Sequence, residues 1–324
     1  MLDQRFVVWM ISVGLMVPGA GMVSGQSYPS KPIRIVTAST GGGNDIFARI
    51  IAQGITGSMG QPVVVENRGG DVVQAEIVAQ ASPDGYTMLV YGPPLWIGPL
   101  LRKTSYDPVR DFSPITIMTR STNVLVVHPS VPATSIKEFI ALAKAKPGTL
   151  NYSSGATGGS AHLMAELFKA MAGVDIVRVP YSSNAVEYTD LLGGNVQLTF
   201  GGAASVAQHV KSGKLRALAI TSAQPSAFFP QLPTIAASGL PGYDAEAISG
   251  AFAPAKTPAA IVNRLNQEIV RVFNRAEVKE RLFNSGAEVV GSSPGESAAK
   301  IKSEIIKWGK VIKDAGIRTE LRNR

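Results

Sequence analysis

The chain has 324 residues, 45% of them hydrophobic, no cysteine and a formal charge of +8. That length supports roughly two domains with a core each, and the missing cysteine excludes disulfides, thiolate metal sites and a cysteine nucleophile. Lysine and arginine are spread along the chain, which predicts a solvated basic surface that favours anions at long range. Without a basic stripe and stacking aromatics, nucleic acid is not an expected partner.

Met1 to Arg5 is followed by an uncharged run from Phe6 to Val17 and by small residues ending at Gly25. This pattern predicts a signal peptide over residues 1–25. Its apolar run is shorter than the roughly 20 residues of a spanning helix. An uncleaved anchor tethered through Pro18 to Gly25 is the rival reading, and both place the body outside the cytoplasm.

The first elements form a βαβ unit: a β-branched strand at Ile33 to Thr37, the turn Gly41-Gly42-Gly43, a helix from Asp45 to Met59 and the strand Val63 to Glu66. A helix to Ala81, a Pro83-Asp84-Gly85 turn and a strand from Thr87 to Tyr91 continue the alternation, which predicts a largely parallel sheet. Strands at Phe112 to Met118 and Asn123 to His128 precede Pro129 and Pro132, where the first domain crossing is expected. A helix starting at Ser135, with Glu138 completing a capping box, opens a second α/β series that runs to the strand Arg216 to Ile220. The Pro- and Gly-rich stretch Leu232 to Tyr243 and a strand from Ala245 to Ala253 carry the chain back. A helix capped by Thr257, with Pro258 at its first position, then begins the C-terminal helices. The expected division is residues 26–128 plus 245–324 in a first lobe and 129–244 in a second.

Gly41-Gly42-Gly43-Asn44-Asp45 lies between a strand and a helix, where backbone N–H groups and the helix dipole favour an anion. A dinucleotide site would use Glu66 as its ribose acid, but Ile46 stands where a third glycine belongs and Asp45 would face the pyrophosphate; no cofactor is expected. Ser153 to Ser160 is a second hydroxyl- and glycine-rich loop of the same placement, so two opposed loops can close on one anion. Trp96 is either an aromatic wall of the cleft or a packed core ring.

Gly291-Ser292-Ser293-Pro294-Gly295 matches the serine-hydrolase nucleophile elbow, yet Pro294 lacks the N–H that the oxyanion hole requires. Ser293 reads better as a helix cap, with Pro294 at the first helical position. His128, His162 and His209 are isolated and show no metal-ligand spacing, so neither a catalytic centre nor a metal site is expected. An exported serine-type hydrolase using Ser293 or His162, and a ligand-responsive sensor, are the alternatives to a binding protein for transport.

The motifs Tyr28-Pro-Ser-Lys-Pro-Ile-Arg34, Gly60-Gln-Pro-Val-Val-Val-Glu-Asn-Arg68, Pro83-Asp-Gly-Tyr-Thr87, Lys146-Pro-Gly-Thr-Leu-Asn-Tyr152, Asp190-Leu-Leu-Gly-Gly-Asn-Val196 and Gly213-Lys-Leu-Arg-Ala-Leu-Ala219 stand in this order. In this the mature chain resembles, over nearly its whole length, the periplasmic solute-binding proteins of tripartite tricarboxylate transporters, the Bug family. The resemblance implies an α/β, periplasmic-binding-protein (Venus flytrap) fold of two α/β lobes joined by two hinge crossings. It implies a periplasmic protein that captures a small organic carboxylate and passes it to membrane permease subunits; with no heptad or exposed apolar stripe, a monomer is expected. Carried over by position, the ligand contacts are Thr40, Gly41, Gly42, Gly43, Asn44, Asp45, Tyr91 and Trp96 from the first lobe. The second offers Ser154, Thr157, Gly158, Gly159, Ser160, Tyr181, Ser183, Gly201 and Gly202.

Two departures bear on the ligand. Many members carry an aspartate where this chain has Gly201, and the common Tyr-Lys-Gly is Tyr181-Ser182-Ser183. Amino-acid ligands are thereby disfavoured, and a monocarboxylate is as well accommodated as a di- or tricarboxylate.

Overall fold

The computed structural model describes residues 28–69, 72–155, 157–181 and 183–317; the expected signal peptide lies outside them, as does Ser182. From the N-terminus the chain forms β1 (Ile33–Thr37), α1 (Gly43–Met59), β2 (Val63–Asn67), α2 (Val73–Ala79), β3 (Thr87–Tyr91), α3 (Pro94–Leu101) and β4 (Phe112–Ser121). There follow β5 (Asn123–Val127), α4 (Ile136–Ala145), β6 (Asn151–Ser154), α5 (Ser160–Ala172), β7 (Val177–Pro180), α6 (Asn184–Leu192), β8 (Leu198–Gly202), α7 (Ala203–Lys211) and β9 (Arg216–Ile220). The chain ends with β10 (Ala247–Pro254), α8 (Ala259–Phe273), α9 (Ala276–Asn284), β11 (Glu288–Val289) and α10 (Pro294–Asp314). No described helix is long and apolar enough to cross a membrane.

Two sheets organise these elements, with strand orders β11-β4-β10-β3-β1-β2 and β7-β6-β8-β5-β9. β1 pairs in parallel with both β2 and β3, and β6 in parallel with both β7 and β8. The sheets are not parallel throughout, because strands tied to the crossings run the other way. β10 is antiparallel to β3 and β4, and β5 is antiparallel to β8 and β9. A strand that passes straight from one sheet into the next enters from the end opposite to strands delivered by a preceding helix.

The expected first crossing at Pro129 is corrected by this pairing. β5 was expected in the first lobe, yet it lies between β8 and β9, so the chain crosses at Thr122. Two β-branched strands separated by one residue read alike whether they share a sheet or not; only their hydrogen-bond partners distinguish them. The crossings are bonded to each other: Thr221 N–H donates to the Asn123 carbonyl (2.9 Å), and Asn123 N–H to the Thr221 hydroxyl (3.2 Å).

Helix ends follow local chemistry with two adjustments. Ser293 and Glu296 form the full reciprocal capping box of α10, which accounts for the elbow-like motif. At α4, Ser135 accepts the Glu138 N–H, but the Glu138 carboxylate turns to Thr134 N–H (2.7 Å) instead of closing the box. Thr257 does not cap α8; its hydroxyl donates to the Pro254 carbonyl (2.8 Å) and Pro258 occupies the cap.

α8 packs on α1 where Gly54 lets the backbones approach, since a Cβ there would lie 2.5 Å from Val272 methyl carbons. The largest core cluster runs from Leu89 and Trp96 through Ile301 and Trp308 to Leu163 and Phe168. α10, packed on both α3 and α5, thus joins the two lobes within this cluster.

Candidate functional site

In the first lobe the turn after β1 is held by a side chain from its own helix. Gly41 adopts φ 86°, and its N–H donates to Asp45 Oδ2 (2.9 Å). Asp45 Oδ1 accepts Asn67 Nδ2 (2.8 Å) and pairs with Arg49 Nε (3.0 Å). The Asp45 carboxylate is buried, so the site residue expected to meet the ligand is directed into the protein and shapes the turn. Gly42 caps α1 without a side-chain bond, and Thr40, Gly41, Gly42 and Gly43 are exposed, which leaves their backbone open to an anion. Asn44 Oδ1 accepts the Ser249 hydroxyl (3.1 Å), and Gly92 lies beside that pair, so the turn is keyed to β10 and to the end of β3.

Burial alone would raise the Asp45 pKa; the Gly41 N–H, the Asn67 amide and Arg49 outweigh it and hold the group below the usual carboxylate value. A lowered folded-state pKa contributes stability that is complete above the unfolded value, about 3.9, and is lost as pH falls through the folded one. Asp45→Asn is therefore expected to lower the melting temperature at pH 7, with the gap to wild type narrowing as pH falls below about 3.9. A gap independent of pH would refute this role.

The second lobe repeats the device with a different acceptor. Gly158 adopts φ 79°, and its N–H donates to Nδ1 of His162 (3.0 Å), again four residues on. Gly159 caps α5 with no side-chain bond, and Ser160 opens the helix. Burial first, then the neighbouring Arg178, pushes the His162 pKa down to about 4, so the imidazole is neutral where it accepts. His162 is thus a turn-forming residue, and Ser293 forms the capping box of α10.

Arg178, on β7, was not found from the sequence. Its guanidinium donates to Ser154 Oγ (2.7 Å), Thr157 Oγ1 (3.0 Å) and the Gly155 carbonyl (2.8 Å), clasping the loop between β6 and α5. The available signal was an arginine in a four-residue strand beside the hydroxyl-rich loop, but its partner could not be read before β7 was paired with β6.

The structure brings part of the expected site together. Thr157, Gly158, Gly159 and Ser160 meet Pro94, Ile97 and Leu101 of α3, and Arg102 just after it, around an interlobe cavity of about 180 Å³. Gly158 is in close contact there, since a Cβ would lie 2.4 Å from Leu101 Cδ1. Tyr181 joins the same loop through its N–H to the Ser154 carbonyl (2.9 Å), and its hydroxyl donates to Asp190 (2.8 Å). Ser183 is exposed at the cap of α6. Other residues lie away from solvent: Tyr91 is buried, and Trp96, 1% exposed, packs in the shared core. The aromatic-wall reading of Trp96 gives way to the packed one.

Gly201 also changes meaning. A Cβ there would lie 2.5 Å from Val206 Cγ1 and 3.2 Å from the Tyr188 hydroxyl, so glycine at this position is required by the packing of β8 on α6 and α7. Gly202 follows as the cap of α7, with no side-chain bond. A larger groove of about 540 Å³ at the hinge is lined by Arg120, Glu246 and Lys300, but these charges are already paired, Arg120 with Glu288 (2.9 Å) and Lys300 with Glu304 (3.2 Å). Among the described residues no three of His, Asp and Glu cluster as metal ligands.

Two α/β lobes are the architecture of the periplasmic solute-binding proteins, and the solved structures that this chain resembles share that fold. The model of the tripartite tricarboxylate transporter family receptor matches residues 47–317, and the chain belongs to that family. BugT of Bordetella pertussis is 35% identical over 313 residues, covering 94% of this chain and 96% of BugT. Rpa4515 of R. palustris, solved with adipate, is 35% identical with a TM-score of 0.73, over 90% of this chain and 99% of that one. MatC of Rhodopseudomonas palustris, solved with malate, is 28% identical with a TM-score of 0.70, over 88% and 100%. BugD, solved as a periplasmic binding protein, is 30% identical with a TM-score of 0.70, over 90% of this chain and 100% of that one.

Proposed function

We propose that this chain is exported to the periplasm, binds a small organic carboxylate between its lobes and delivers it to the membrane subunits of a tripartite tricarboxylate-type transporter. The observation that carries the reading is the pair of glycine turns, each followed by a helix whose first N–H groups have no side-chain cap. Such groups hold a carboxylate without a dedicated basic residue. The adipate and malate bound by relatives support the carboxylate class. The apolar wall from Pro94, Ile97 and Leu101 suits a ligand with a hydrocarbon segment.

A thermal-shift panel of mono-, di- and tricarboxylates tests it. A ligand at a hundred times its Kd stabilises the folded state by about 2.7 kcal/mol, which for lobes of this size raises Tm by about 5 °C or more. At least one carboxylate is expected to give that shift; flat curves across all three groups would reject carboxylate capture.

A further inference from the structure

The lobes also touch outside the core that α10 joins. The segment after β9 leaves the second sheet and reaches α9 and β11, which belong with the first. In it the buried Ser226 donates its hydroxyl to Glu288 Oε1 (2.7 Å). Two residues on, the Phe228 ring lies flat on that of Phe283, with centroids 4.1 Å apart and planes at 4°. Phe228 packs on the second lobe's cluster of Val124, Val206 and Phe229, whereas Leu282, next to Phe283, belongs to the first lobe's cluster. Neither ring is part of the cluster shared through α10. Beside them Gly286, at φ 89°, lets the chain approach α7, since a Cβ there would lie 2.9 Å from Ala204 Cβ. Glu288 Oε2 accepts Arg120 Nη2 (2.9 Å), and Arg120 Nη1 lies 3.7 Å from Glu246 Oε1. Arg120 stands two residues before the crossing at Thr122 and Glu246 one residue before β10, so the contact is tied to the hinge.

We propose that the Phe228–Phe283 stack and the Ser226–Glu288 bond form an interlobe latch that sets how much of the protein holds the arrangement in which the lobes meet. The same arrangement brings Gly158 against Leu101, so the latch and the cavity contact are made together. One ring pair and one charge-assisted hydrogen bond can part and re-form, unlike the buried cluster along α10. Phe283 is 37% exposed, so separating the rings opens no core. Contacts present in only one of two arrangements shift their populations, and apparent affinity scales with the binding-competent fraction. Weakening the latch therefore lowers affinity without touching a residue that lines the cavity between α3 and α5.

The chain has no cysteine, so spin labels can be confined to Val64→Cys on β2 and Val186→Cys on α6, both more than half exposed and on different lobes. Distances between the labels are measured by double electron–electron resonance in the ligand-free protein, with melting curves to confirm folding. The labelled parent is expected to show one dominant distance. Phe228→Ala, Phe283→Ala and Ser226→Ala should each populate a second one, and the double phenylalanine variant no more of it than the stronger single, because either truncation removes the stack. Phe228→Tyr, which keeps a ring, should match the parent. Phe283→Leu, which keeps apolar bulk without the stack, serves if an alanine variant does not fold. A distance distribution unchanged from the parent in any of the three would overturn the latch. Adipate and malate binding, read by calorimetry, should weaken at least threefold in the same variants, and unchanged affinity would equally overturn it. A wild-type protein that binds neither acid would count against the carboxylate reading, while the label distances still decide the latch.

Discussion

Gly158→Ala is expected to weaken carboxylate binding by an order of magnitude or more and to lower the melting temperature. Gly158 sits at φ 79°, where a side chain is strained, and the added Cβ would lie 2.4 Å from Leu101 Cδ1 of the opposite lobe. Holding alanine in the left-handed region costs about 1–3 kcal/mol, and the collision either moves α3 or keeps the turn from seating. Gly41→Ala separates these effects. Its φ of 86° imposes the same strain, but nothing lies within 4 Å of the Cβ, so it should show the backbone cost alone. Adding Leu101→Ala to Gly158→Ala should then recover the steric part and leave the rest. Calorimetric titration and thermal melts of the four proteins decide it, and a Gly158→Ala variant indistinguishable from wild type would remove this turn from the site.

The second large effect belongs to the core beneath that turn. Phe168 lies midway along α5 with no exposed surface, its ring 5.8 Å from both Phe139 and Phe200 and 6.3 Å from Tyr243. Phe168→Ala removes the common member of this cluster and should cost about 3–5 kcal/mol, transfer and cavity effects combined. Because α5 carries the Gly158 turn at its start and Phe200 precedes Gly201-Gly202, the loss should also weaken ligand binding. Urea unfolding should show a lower midpoint with an unchanged m-value. A loss under about 1 kcal/mol would mean that the lobe collapses onto the vacancy at little cost.

The site was legible in proportion to how local its interactions are. The glycine turns and the Ser293 cap appear in the sequence because their conformations follow from residues within one helical turn. The bond from Gly41 to Asp45 spans only four residues and could have been recognised; Asp45 was instead assigned to the ligand. His162, dismissed for want of a metal partner, turned out to occupy the equivalent position in the second lobe. Arg178 lay beyond reach, since the loop it clasps is 21 to 24 residues away and meets it only through the parallel pairing of β6 and β7.

By itself the sequence determined two α/β series, most helix starts, the two glycine turns and, through motif order, the receptor family. Periodicity, caps and left-handed glycines are properties of short segments. Tertiary structure alone decided that β5 leaves the first lobe at Thr122, that Trp96 and Gly201 answer to packing, and that the acceptors beneath the two turns carry different charge. Those outcomes depend on which distant segment fills the adjoining space and on how far burial removes a titratable group from water, and neither is set by neighbours along the chain.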